Sequence, residues 1–192
     1  ICELIVFVLA LNASIYTYKK YQQKKSKTSL YLMIIFIALA GAPISQFIDG
    51  LFYTGWGSDN TFGLYDVQYG YALIIFFTAI ANICLLLFAS EIFMPEPDPK
   101  KATHLKITKN VIISILGILG VLGSIMKILN MQVTVIIGLY FVFAMVIYIL
   151  LGTNAYKLAR KIEDHVYSSS IRYIGHFAFS LFLRTTYFWK WI

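Results

Sequence analysis

The sequence has few charges and very few acids. Of its 192 residues, nine are Asp or Glu, and charged residues make up 13% of the chain, roughly half the share of about 25% in soluble domains. Hydrophobic residues make up 59%, and the mean hydropathy is +0.75. A water-soluble domain of this length could not bury so much apolar surface. The composition therefore predicts an integral membrane protein, in which lipid covers that surface.

Metal-binding and redox residues are scarce as well. The two cysteines are Cys2, which we place near one membrane face, and Cys84, near the middle of the membrane. This difference in depth argues against a disulfide between them. The three histidines are all expected near the inner side, so no pair could hold a haem at mid-membrane depth. The sequence predicts no metal site and no cofactor.

Catalytic motifs are also missing. The metalloprotease pattern HExxH and the hydrolase pattern GxSxG do not occur in the chain. Paired carboxylates within a span, which an intramembrane aspartyl protease requires, are absent too. An enzyme is therefore the least expected class.

The basic residues lie in three groups. Thirteen of the sixteen Lys and Arg fall in the segments 19–28, 94–109 and 157–172, which hold five, four and four of them. Lysine and arginine collect in the cytoplasmic loops of multi-span proteins. The three segments are therefore predicted to be inner loops, and this grouping argues against a nucleic-acid partner.

This pattern predicts an all-α integral membrane protein of the cell membrane. We expect one transmembrane domain over residues 1–192, an antiparallel bundle of six transmembrane helices with the N-terminus outside. The predicted spans are about 1–18, 30–53, 69–93, 111–129, 133–156 and 171–191. Because both ends of the chain are apolar, we expect residues beyond them, and a seventh span would return the chain to the cytoplasm.

Four polar residues are candidates for ligand binding at the outer side. Asp49 and Gln46 lie at the outer end of the second span, Glu3 lies near the outer end of the first, and Arg184 lies within the sixth. An arginine within a span is costly unless it pairs or reaches the headgroups. Arg184 could pair with Asp49 or Glu3 in a charged outer pocket. The alternatives are that Arg184 extends to the outer headgroups and that both acids lie at the interface.

Asn82 is a fifth candidate, at mid-depth in the third span. It lies one helical turn after Thr78, so both side chains are on the same face. A mid-membrane asparagine usually forms a hydrogen bond with a neighbouring helix. Contact with a ligand is the alternative.

Gly117, Gly120 and Gly123 recur every three residues in the fourth span. Small residues allow two helix backbones to approach closely. The stripe is therefore interpreted as a helix-packing surface, and it predicts that the fourth span is the most buried helix. The second span carries another set of small residues, Ala38, Gly41 and Ala42.

Three functional classes fit this pattern. The first is a sensor or receptor-like module that binds a small ligand in its outer half, and the arrangement resembles, in layout alone, seven-span sensing domains. The second is a small-molecule transporter or its substrate-binding subunit. The third is a non-catalytic structural subunit of a larger membrane complex. The expected partners are the lipid bilayer, other membrane subunits and a cytoplasmic partner at the inner loops.

Overall fold

The computed structural model describes residues 2–54, 69–93, 99–129, 131–163, 168–169, 171–176 and 178. These residues are helical and contain no strand. The long helices are α1 (Cys2–Lys24), α2 (Lys27–Thr54), α3 (Tyr69–Phe93), α4 (Pro99–Ile128) and α5 (Thr134–Ala159). The all-α fold class is confirmed.

Four of the described helices are long and apolar enough to cross a membrane. Their apolar segments are Lys27–Ser45, Gly70–Ile92, Lys106–Ile128 and Val135–Ala159, in α2 to α5. They overlap the second to fifth predicted spans. α1 is not among the four, because its second half carries lysine, glutamine and tyrosine. The sixth predicted span lies mostly outside the described residues, so the count of six remains a prediction.

Hydrogen bonds at both ends of the pair show that α3 and α4 run antiparallel. The Ser124 hydroxyl of α4 donates to the Ala72 carbonyl of α3 (3.0 Å). At the opposite end of the same pair, the Lys109 ammonium of α4 donates to the Ser90 hydroxyl of α3 (3.4 Å). The short connection 129–133 reverses the chain again between α4 and α5. α3 and α5 therefore run parallel, with α4 beside both.

α3 forms the centre of the bundle. It packs against α2, α4 and α5, and half of its apolar segment is buried, against 22% of the segment in α4. The prediction that the fourth span is the most buried helix is therefore wrong. The glycines of α4 lie against α3 and, at Gly123, also against α5. Other positions of α4 carry exposed bulky residues such as Ile118, which is 64% exposed.

The first basic segment is mostly helix, although it was predicted to be a loop. α1 continues through Lys24, α2 starts at Lys27, and only Lys25 and Ser26 form the turn. Lysine and glutamine favour a helix that continues into water, and the segment has no glycine or proline to stop it. Lys25 makes the reversal with a φ of 49°. The Ser26 hydroxyl accepts a hydrogen bond from the backbone N–H of Ser29 (3.2 Å) at the start of α2.

The other two basic segments differ from the prediction in a similar way. α4 begins at Pro99, where a proline is tolerated because the first N–H groups of a helix have no partner within it. Most of the predicted inner loop 94–109 is therefore helical. α5 ends at Ala159, beyond the predicted end of the fifth span at residue 156. The Ser168 hydroxyl donates to the Ala159 carbonyl (2.8 Å) and closes this end.

Candidate functional site

A polar cluster lies inside the bundle, between α3 and α5. Its centre is Asn82, which is 2% exposed in the middle of α3. Tyr140 and Tyr148 of α5 are 4% and 5% exposed. We call these three residues the amide cluster. Its members come from two apolar helices that are brought together by the packing of α3 on α5.

Hydrogen bonds join all three members of the amide cluster. The Tyr148 hydroxyl donates to the Asn82 side-chain oxygen (2.7 Å). The Asn82 side-chain nitrogen donates to the Tyr140 hydroxyl. The two tyrosines are eight residues apart, or about 12 Å along the helix. The amide therefore bonds to two points of α5 that are about two helical turns apart. Asn82 thus forms hydrogen bonds with a neighbouring helix, and its role as a ligand contact remains a prediction.

The surroundings of the amide cluster are apolar. Ala144 and Leu151, which share the buried side of α5, are each 1% exposed, and Leu116 of α4 is fully buried. Low polarity strengthens each hydrogen bond and raises the free-energy cost of leaving a polar group without a partner. The side chains in the apolar core therefore favour a single arrangement of α3 against α5.

The amide cluster consists of uncharged hydrogen-bonding groups. An asparagine amide has two N–H donors, and a tyrosine hydroxyl donates one proton while it accepts others. Among the described residues, every buried side-chain nitrogen and oxygen atom has a hydrogen-bond partner. The cluster contains no charged group and no activated nucleophile.

The glycine stripe of α4 lies against α3, but its three members differ. A Cβ atom at Gly120 would be closer than 3.0 Å to the Cβ of Ala79, which real structures essentially never show. At Gly123 the nearest atoms would be 3.4 Å away in Ile75 and 3.5 Å away in Ile136, and at Gly117 the nearest would be 4.0 Å away. Only Gly120 thus requires the absence of a side chain.

A second close approach joins α2 to α3. A Cβ atom at Gly41 would lie 2.7 Å from the ring of Phe77. Gly41 belongs to the small-residue set of the second predicted span, and Ala38 of the same set is 2% exposed. Small residues therefore surround α3 on two sides and explain its central position.

The contact between α3 and α4 is reinforced at the end of the pair that was predicted to face outward. The Lys127 ammonium lies 5.0 Å from the centre of the Tyr71 ring, a distance at which a cation is attracted to the ring face. The buried Ser124 hydroxyl also lies here, and it bonds to carbonyls of both helices. Polar contacts thus hold the two helices together near this end.

The other predicted ligand-binding residues cannot be placed relative to the amide cluster. The side chains of Glu3, Gln46 and Asp49 lie outside the described residues, and so does Arg184. The charged outer pocket remains a prediction. The structure instead adds Tyr140 and Tyr148, which sequence reasoning missed. Their signal was a pair of hydroxyl groups eight residues apart on the buried side of an apolar helix.

The described residues contain no group of three His, Cys, Asp or Glu side chains that could hold a metal ion. Cys84 is a buried free thiol. His176, predicted near the inner side, contacts Tyr156, whose hydroxyl lies 2.9 Å from the histidine Nδ1. Gly175 allows this approach, because a Cβ atom there would lie 3.1 Å from the Tyr156 ring.

Comparisons with protein-family models, with curated proteins and with solved structures found no match for this chain. The amide cluster is the most complete polar arrangement among the described residues, and we take it as the starting point.

Proposed function

We propose that the chain is a six-span membrane protein with its N-terminus outside, and that it is a sensor or receptor-like module for a small polar ligand. The observation that best supports ligand binding is the buried amide cluster, which places hydrogen-bonding groups inside an otherwise apolar bundle.

The ligand enters from the outer side in this proposal. Asp49, Gln46, Glu3 and Arg184 line the outer half, and Asn82 lies deepest. Asp49, Glu3 and Arg184 supply charge. A ligand that carries a carboxylate or carbonyl group could accept hydrogen bonds from Arg184 and from the donors of the amide cluster. Because the cluster joins α3 to α5, a ligand that binds there changes the balance between alternative positions of these helices. α5 leads to a basic cytoplasmic end, where such a change can be transmitted to a partner.

Ligand binding is tested by thermal unfolding of the full chain in detergent, against a panel of amino acids, carboxylates and amines. A ligand at 100 times its Kd should stabilise the fold by about 2.7 kcal/mol. Tyr140→Phe should reduce this effect, since it removes one donor. Thr153→Ala is the matched control, because that hydroxyl donates only within α5. If no compound stabilises the chain, or if Tyr140→Phe and the control respond alike, ligand binding at this cluster is wrong.

The charged outer pocket is tested by a double-mutant cycle. Asp49→Ala and Arg184→Ala should each destabilise the bundle, and the double variant should destabilise it by less than their sum, because each single change leaves a charge without its partner. Strict additivity in detergent melting would exclude the pair.

The orientation is tested by labelling at two positions. Tags inserted after Gln22 and after Asn60 should be accessible from opposite sides of the membrane, the first from the cytoplasm. Accessibility from the same side would contradict the proposed topology and would leave the ligand-binding test unaffected.

Uptake of the bound compound into sealed vesicles would instead favour a transport function.

A further inference from the structure

The turn between α1 and α2 concentrates positive charge. Lys19, Lys20, Lys24, Lys25 and Lys27 are all exposed there, and we call them the lysine turn. Between Glu3 and Asp49 the chain contains no acid. The N-terminus of α2 adds the partial positive charge of its unpaired N–H groups.

The other two basic segments are partly neutralised in the sequence. Segment 94–109 has four lysines and two acids, and segment 157–172 has four basic residues and two acids. All three segments satisfy the preference of lysine and arginine for the cytoplasmic side of the membrane. Only the lysine turn has five positive charges and no acid among them, so orientation alone does not account for it.

In the proposed topology, the lysine turn lies at the height of the lipid headgroups of the inner leaflet. The apolar run of α1 ends at Tyr18 and that of α2 begins at Leu30. Lys24 is six residues beyond Tyr18, or about 9 Å along the helix. The headgroup region on each side of a bilayer is about 5–8 Å thick. All five ammonium groups can therefore reach this layer.

Tyrosines support two of these lysines. The Lys20 ammonium lies 5.3 Å from the centre of the Tyr16 ring, and the Lys25 ammonium lies 5.4 Å from that of Tyr21. A cation over a ring face is attracted to it, and tyrosine is enriched at membrane interfaces. The contacts restrict where these ammonium groups lie before any lipid binds.

We propose that the lysine turn is a binding site for anionic phospholipids of the inner leaflet. The headgroup phosphate and carboxylate pair with several ammonium groups, and the acyl chains lie beside the exposed apolar side chains of α1, such as Ile15. A juxtamembrane lysine contributes about tenfold or less to such binding, and the contributions multiply. This site lies on the helix ends and is independent of the proposed ligand site.

The test uses the full chain in neutral detergent, and native mass spectrometry compares retained phosphatidylserine with phosphatidylcholine. Substitution of Lys20, Lys24 and Lys25 by Gln should lower phosphatidylserine retention about 10- to 100-fold. The matched control substitutes Lys106, Lys157 and Lys161 by Gln, an equal charge loss at exposed positions of the other two basic segments. It should change retention less than about threefold.

Melting curves of both variants establish that they fold. If the lysine-turn variant does not fold, the unmodified chain is compared in 0.1 M and 1 M salt, where the screening length falls from about 10 Å to about 3 Å. Preferential retention of phosphatidylserine should then disappear. The proposal is overturned if the two variants lose retention equally, if the unmodified chain does not prefer phosphatidylserine, or if millimolar inorganic phosphate displaces the lipid.

Discussion

Gly120→Ala probes the closest contact between α3 and α4. The new methyl group would be closer than 3.0 Å to the methyl group of Ala79. Neither group can rotate away, since each is attached directly to a helix backbone. The two helices must therefore move apart until the gap reaches at least 3.4 Å, where ordinary contact begins.

The expected loss of stability follows from overpacking, which typically costs about 1–3 kcal/mol. A gain in helix propensity of about 1 kcal/mol on replacing glycine offsets part of it. Gly117→Ala gives the same gain without the overlap, because its nearest atom would be 4.0 Å away. The difference between the two variants therefore isolates the overlap, and it should be about 1–3 kcal/mol.

The assay is thermal unfolding in detergent, in which Gly120→Ala should melt at least about 2–4 °C below Gly117→Ala. Adding Ala79→Gly to Gly120→Ala removes the methyl group that the new side chain would overlap. It should recover most of the lost melting temperature. Equal melting temperatures for the two single variants would refute the close contact. Failure of Ala79→Gly to recover stability would place the cause elsewhere.

Two further predictions concern contacts of α3. Gly41→Ala should destabilise the fold by about 1–3 kcal/mol, because its methyl group would lie 2.7 Å from the ring of Phe77. Melting curves should show partial recovery of stability when Phe77→Leu is added. An unchanged melting temperature in Gly41→Ala would contradict this packing. Asn82→Leu and Tyr148→Phe should each destabilise, with a coupling of about 0.6–1.7 kcal/mol in a double-mutant cycle. Zero coupling would mean that their hydrogen bond contributes nothing to stability.

The apolar spans could be predicted from the sequence because lipid imposes a simple rule. A helix that crosses hydrocarbon must be about 20 residues long and mostly apolar, and the third predicted span, 69–93, coincides with α3. The helix ends were less predictable. Beyond the membrane, local propensity decides whether a helix continues, and the lysine-rich segment continues α1 to Lys24.

The burial of each helix could not be inferred from composition alone. The glycines of α4 suggested a central helix, yet a stripe of small residues needs only one neighbour. α3 carries no such stripe and is central because Gly41 and Gly120 of two other helices admit its Phe77 and Ala79. The partners of Asn82 likewise depend on how α5 lies against α3. That position is a property of the folded bundle and has no local signal.

The spacing of the two tyrosines has a mechanical consequence. The Asn82 amide is hydrogen-bonded to the Tyr140 hydroxyl and to the Tyr148 hydroxyl, which lies about two turns further along α5. Sliding α3 along α5 in either direction would lengthen one of these bonds, and a step of one turn, about 5.4 Å, would break both. Axial translation is thus disfavoured, whereas tilting about the amide preserves both bonds. Any rearrangement of these two helices should therefore be a pivot centred at Asn82.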